Sequence, residues 1–123
     1  MKLLKRVYNK FRLTDDNQIA YFWLKLKDFS RTGATASDTE GLIDHVRAIE
    51  PVVVACVFEE LEPELTRISL RSKDKNVNVS AIAGLFGGGG HPAAAGARIA
   101  GKPIGVQRRV VAAIRRALYD RPS

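Results

Sequence analysis

The sequence predicts an α/β fold: a single compact domain with a mixed β-sheet, a central β-hairpin and flanking helices. Three observations predict it. Val52 to Phe58 is an unbroken apolar run with three consecutive valines, the pattern of a strand buried on both faces. Leu65 to Ser72 alternates, with Thr66, Ile68 and Leu70 set against Arg67, Ser69 and Arg71, the period of a strand with one covered face. Lys102 to Tyr119 carries Val110, Val111, Ile114 and Leu118 on one helical stripe, with Arg108, Arg109, Arg115 and Arg116 outside it. The 123 residues suffice for one domain and not comfortably for two.

The other elements follow in chain order. Leu3, Leu4, Val7 and Phe11 recur at helical spacing, so Lys2 to Leu13 reads as a helix, and residues 1–14 read as a linker ahead of a domain spanning 15–123. Asp15, Asp16 and Asn17 form a turn. Gln18 to Leu26 is rich in β-formers, apolar at odd and even positions, so both faces of this strand are expected to be covered. Ser37 and Glu40 have capping-box spacing at the head of a helix bearing Leu42, Ile43, Val46 and Ile49, and Pro51 blocks its continuation. Glu59 to Glu64 reads as an acidic loop joining the hairpin strands. Asn78 or Ser80 can cap a short helix carrying Val79, Ile82, Ala83 and Phe86, which Gly87 ends in the left-handed conformation. Ala95 to Ile99 reads as a short strand.

Composition narrows the function. Apolar residues make up 46% and charged residues 27%, which excludes a disordered, collagen-like or coiled-coil chain. A single cysteine excludes a disulfide framework or a thiolate zinc site, and Cys56, inside an apolar run, reads as a buried small hydrophobe. No signal-type apolar region follows Met1, and the uncharged run from Asn76 to Ala97 is broken by four glycines and Pro92, so no membrane association and a cytoplasmic location are expected. The net charge of +7 is unevenly placed: from Thr66 onward there are 11 basic residues against two acidic ones, Asp74 and Asp120. This asymmetry suits a phosphate-rich ligand, although basic side chains also serve simply to keep helix faces soluble.

The segment Gly87-Gly88-Gly89-Gly90-His91-Pro92-Ala93-Ala94-Ala95-Gly96 is the main site candidate. Consecutive glycines can turn their amides into a concave anion-binding nest, and His91 can donate to a phosphate oxygen. The competing reading is a flexible loop with an incidental histidine. No Lys-Ser/Thr follows the glycines, so this is not a P-loop. Gly88 to Ala93 fits G-x-G-x-x-A in form, but it follows a helix where a dinucleotide fingerprint follows a strand. Arg71 with Ser72 at a strand end makes a phosphate clamp, since guanidinium is a rigid fork. Lys73 and Arg31, the latter in Arg31-Thr32-Gly33, are weaker candidates. Asp44-His45 reads as a surface pair, and no catalytic residue or metal-ligand set can be argued from spacing.

Gly88-Gly89-Gly90-His91, continued by Ala94-Ala95-Gly96, resembles the signature of the DHH-associated domain, the C-terminal half of DHH-type phosphoesterases. Arg31-Thr32-Gly33-Ala34, Asp38 to Leu42, Ser69-Leu70-Arg71-Ser72 and Asn78 to Ala83 resemble further segments of the bifunctional oligoribonuclease and 3′-phosphoadenosine-5′-phosphate phosphatase type. The resemblance implies a domain that binds short RNA or small nucleotides, with Gly88, Gly89, Gly90 and His91 on the substrate phosphate and Arg71 and Ser72 at the same end of the ligand. It also implies a partner, an N-terminal DHH domain whose Asp and His residues hold two manganese ions and whose signature is an Asp-His-His triplet.

That triplet does not occur in this sequence. The chain is therefore expected to be a C-terminal fragment, natural or artificial, that holds no cofactor, binds its ligand weakly and cleaves nothing alone. A second reading is a free-standing RNA-binding module without hydrolytic activity, since the DHH-associated domain also resembles a tail region of alanyl-tRNA synthetases and the last helix is basic. A third is an interaction domain packed on a partner chain, with a homodimer left open.

Overall fold

The computed structural model describes residues 11–25 and 36–122, with only the backbone described for 36–40 and 42. Within them the order is β1 (Arg12–Thr14), β2 (Ile19–Leu24), α1 (Ala36–Arg47), β3 (Val54–Glu62), β4 (Leu65–Ser72), α2 (Val79–Gly84), β5 (Gly89–His91), β6 (Ala94–Ala100) and α3 (Pro103–Tyr119). The strands form a six-stranded mixed sheet in the order β1-β2-β3-β4-β6-β5. Only the β2–β3 pair is parallel, and α1 lies in the crossover between those two strands. The single α/β domain with a central antiparallel β3–β4 hairpin is the fold the apolar patterns predict.

Helices cover both faces. On one face Ala20, Phe22 and Leu24 of β2 and Ala55 and Val57 of β3 pack with Ile43 and Val46 of α1. On the other, Val54, Cys56 and Phe58 of β3, Ile68 and Leu70 of β4, and Ala95, Ala97 and Ile99 of β6 pack with Val79 and Ile82 of α2 and with Val106, Val110, Ile114 and Leu118 of α3. Phe58 stacks on Trp23 at 4.8 Å and meets Tyr21 edge-on at 6.0 Å. The Trp23 indole donates to Gln107 at 2.6 Å, which ties β2 to α3. Cys56 is fully buried, and its burial pushes the thiol well above the ordinary range. No helix among the described residues is long and apolar enough to cross a membrane.

Four local readings are corrected. Arg12 to Thr14, read as the end of a helix, pair with Ile19 to Tyr21 as strand β1, and the rest of the expected linker helix lies outside the described residues. The turn between them holds Asp15, Asp16 and Asn17 at φ 56°, 57° and 64°, a left-handed stretch that Asp and Asn tolerate best among residues with a side chain. Glu59 to Glu62, read as loop, continues β3 past a bulge, because Glu59 faces Arg67 across the hairpin; the turn is confined to Pro63 and Glu64. Helix α1 begins at Ala36, one residue ahead of the Ser37 cap. The glycine run is not an open loop, since its second half is edge strand β5.

Candidate functional site

Three of the four glycines of the run have a local cause. Asn78 caps α2, its Oδ1 accepting from Ala81 N at 3.2 Å. Gly87 closes the helix at φ 82°: the Gly88 amide donates to Ala83 O at 2.9 Å and the Gly87 amide to Gly84 O at 3.2 Å, the two bonds of a Schellman motif. A Cβ on Gly88 would lie 2.1 Å from Gly96 O, and one on Gly90 (φ 146°) would lie 2.6 Å from Ala94 O. Both positions must be glycine for β5 to pair with β6. Gly89 differs: it lacks a left-handed φ, and no atom lies within 4 Å of where its Cβ would be. The expected four-amide nest is thus corrected, because two of its amides serve the helix terminus and the rest belong to a strand. As the last strand of the sheet, β5 still leaves alternate backbone groups outside the ladder.

The hairpin that carries His91 is tied down on both sides. Ser80 Oγ donates to Gly90 O at 3.1 Å, Val79 N to Pro92 O at 2.9 Å, and Ser72 N to Ala93 O at 3.0 Å. His91 itself is exposed, and its ring makes no hydrogen bond or ion pair with any described residue.

Register places the candidates on shared rows. His91 is opposite Ala94, and Ala94 is opposite Arg71, so the three side chains share a face across β5, β6 and β4. At about 4.8 Å per strand, His91 and Arg71 stand about 10 Å apart at the backbone with only a methyl between them. The next row is Gly89, Gly96 and Ser69. The result is a shallow trough on the face where α1 packs on β2 and β3, floored by Ala94, Gly96 and Gly89 and flanked by an imidazole and a guanidinium. The Arg71 side chain is only 15% exposed; its Nη1 donates to Leu70 O at 3.0 Å and its Nε lies 4.0 Å from Asp44 Oδ1 on α1. Asp44 also pairs with Arg47 at 3.5 Å. A mostly buried, positioned guanidinium and an exposed imidazole on one row can take the oxygens of an anion between them.

Not every predicted residue reaches this face. Ser72 follows Arg71 on a strand, so its side chain points to the opposite face, is buried under the α2 side, and bonds the Asp74 backbone, donating to the carbonyl at 3.0 Å and accepting from the amide at 3.2 Å. Its expected place on the ligand is corrected on that ground. Lys73 Nζ is spent on the turn that follows α1, donating to Ile49 O at 2.9 Å and Glu50 O at 3.2 Å. Arg31 lies outside the described residues. Asp44, read as half of a surface pair with His45, is exposed and also lies beside Arg71. Ser69 was also missed, although its parity with Arg71 on an alternating strand was the available signal.

Among the described residues no group of three or more His, Cys, Asp or Glu side chains converges as metal ligands would. These residues do not fit a manganese pair, and no step on this chain is routed through one.

Three solved structures share the fold. An exopolyphosphatase-related protein from Bacteroides fragilis superposes at TM-score 0.83 with 24% identity, covering 95% of this chain and 34% of that one. A pGpG-specific phosphodiesterase from Vibrio cholerae gives 0.67 with 13% identity, covering 94% and 38%. The C-Ala domain of Aquifex aeolicus alanyl-tRNA synthetase gives 0.58 with 15% identity, covering 85% and 97%. The chain thus spans about a third of the length of the first two. A family model described as the DHHA1 domain matches residues 16–120, which takes in the described sheet from β2 onward, the hairpin that carries His91 and the three described helices; the chain belongs to the DHHA1 domain family.

Proposed function

We propose that this chain is the phosphate-binding half of a DHH-type phosphoesterase acting on short oligoribonucleotides or small phosphorylated nucleotides. His91 donates a ring N–H to a phosphate oxygen, Arg71 offers its fork to the same group, and Asp44 keeps the guanidinium in place. The hydrolytic machinery, with two manganese ions, belongs in this reading to an N-terminal DHH domain, and this chain contributes orientation and electrostatics. The family match and the kinship with an exopolyphosphatase-related protein and a phosphodiesterase support it. The observation that carries it is the His91–Ala94–Arg71 row across a small-residue floor.

The test is titration of the chain with 5′-AMP and with 3′-phosphoadenosine 5′-phosphate by calorimetry. Arg71→Ala and His91→Ala should each weaken binding by roughly tenfold or more, the worth of a charge-assisted hydrogen bond, with unchanged melting temperature. Wild-type affinity in both variants overturns the assignment.

One observation favours a second reading, an RNA-binding module without hydrolysis: the match to the C-Ala domain covers nearly all of that domain, and Arg108, Arg109 and Arg116 lie exposed on α3. Steeply salt-dependent binding of long RNA, untouched by Arg71→Ala, would select it.

A further inference from the structure

Two rows beyond His91 and Arg71 the same face carries a second concentration of charge. Arg67 on β4 and Arg98 on β6 stand directly opposite one another. Like charges in that position repel and weaken a sheet. Half of the conflict is settled by Glu59, which faces Arg67 from β3 and accepts from its Nη2 at 2.5 Å. Glu59 is 8% exposed and committed to that pair. Arg98 is exposed and has no ion-pair partner among the described residues. The cluster therefore keeps one surplus positive charge, held on a strand where a neutral residue would fit better.

Arg98 is also in line with the trough. It sits four residues along β6 from Ala94, about 13 Å at the rise of a strand, and the row between holds only Gly89, Gly96 and Ser69. Phosphates advance by about 3.4 Å each along a stacked strand and by more when unstacked, so this length matches roughly two to four nucleotides. A single nucleotide bound at His91 and Arg71 does not reach it.

We propose that Arg98 is a second phosphate-binding position of the same site, which makes the site selective for a linear oligonucleotide laid along β6 over a mononucleotide. This rests on the reading given under Proposed function and names the residue that sets its length preference.

The experiment measures binding of 5′-AMP and of 5′-phosphorylated oligoadenylates of two to five nucleotides to the 123-residue chain and its variants. In the wild type, affinity should rise with length and then level off. Arg98→Ala should lower affinity at the plateau by roughly five- to tenfold and reduce the salt slope by about 0.7, the release expected for one phosphate of a single strand, while leaving 5′-AMP binding unchanged. Arg98→Lys should restore most of the loss. Equal wild-type affinity for 5′-AMP and the longest oligomer, or no loss or a uniform loss in Arg98→Ala, overturns the proposal. If Arg71→Ala and His91→Ala also bind normally, the underlying site falls with it; if those two fail while Arg98→Ala does not, only the extension falls.

Discussion

On the α2–α3 side of the sheet, the apolar side chains of β3, β4 and β6 are sealed beneath two helices, whereas on the α1 side the apolar cluster of the described residues is confined to β2 and β3. Beyond it, β4, β6 and β5 present Arg71, Ser69, Ala94, Gly96, Gly89 and His91 in place of a core. The same two strands thus do different work on their two sides. Ile68 and Leu70 hold the fold, while Arg67, Ser69 and Arg71 between them face the trough. Stability and binding should therefore separate by residue parity, and substitutions can test that separation.

The largest effect belongs to the sealed side. Phe58 is fully buried against Trp23 and Tyr21, so Phe58→Ala should cost about 3–5 kcal/mol by chemical denaturation. Arg71→Ala, on the open side, should shift the denaturation midpoint little. A comparable loss in both would mean that the open face is structural.

A smaller effect concerns the edge of the sealed side. The β1–β2 turn is pinned to α3 through Asp15, which accepts from Arg115 at 2.9 Å, Thr14 at 2.8 Å and Tyr119 at 2.5 Å. Desolvation alone would raise the Asp15 carboxyl, but the hydrogen bonds from Tyr119, Arg115 and Thr14 outweigh it and hold the group below its ordinary 3.8. A lowered folded value means that the contribution is complete above 3.8 and is lost as pH falls through the folded value. Asp15→Asn should cost about 1 kcal/mol at neutral pH, discounted for the half-exposed Arg115, and flatten the acid limb of a stability–pH curve.

Ser72 sharpens the comparison further, because it is adjacent to Arg71 in sequence and on the other side of the sheet. Ser72→Ala removes two bonds to Asp74 and should cost about 1 kcal/mol while nucleotide affinity stays at the wild-type value. Weakened binding at unchanged stability would restore the serine to the site.

How much of this was legible depends on the range of the cause. The apolar run of β3, the alternation of β4 and the stripe of α3 are local periodicities and could be read directly. Gly87 as a helix stop was equally local. Strand β5 was not, because three residues beginning with two glycines have no strand propensity and are ordered by pairing with β6. Arg12 to Thr14 and Glu59 to Glu62 were misread for the same reason, since their partners lie elsewhere in the chain. Ser72 is different, for the alternation that identified β4 already placed Arg71 and Ser72 on opposite faces.

The smallest expected effect on stability is also the most discriminating. Gly88 and Gly90 are glycine because a side chain would collide with β6, and Gly88→Ala should cost about 1–3 kcal/mol by forcing the edge strand away. Gly89 faces no such collision, and nothing in the packing explains the lack of a side chain there. If the trough floor is kept clear for a ligand, Gly89→Ala should leave the melting temperature within error and still weaken nucleotide binding, with Gly89→Val weakening it more, since each added carbon occupies the space where the phosphate backbone lies. A Gly89→Val protein that binds as the wild type does would show that the ligand never approaches β5, and the open face would then need another explanation.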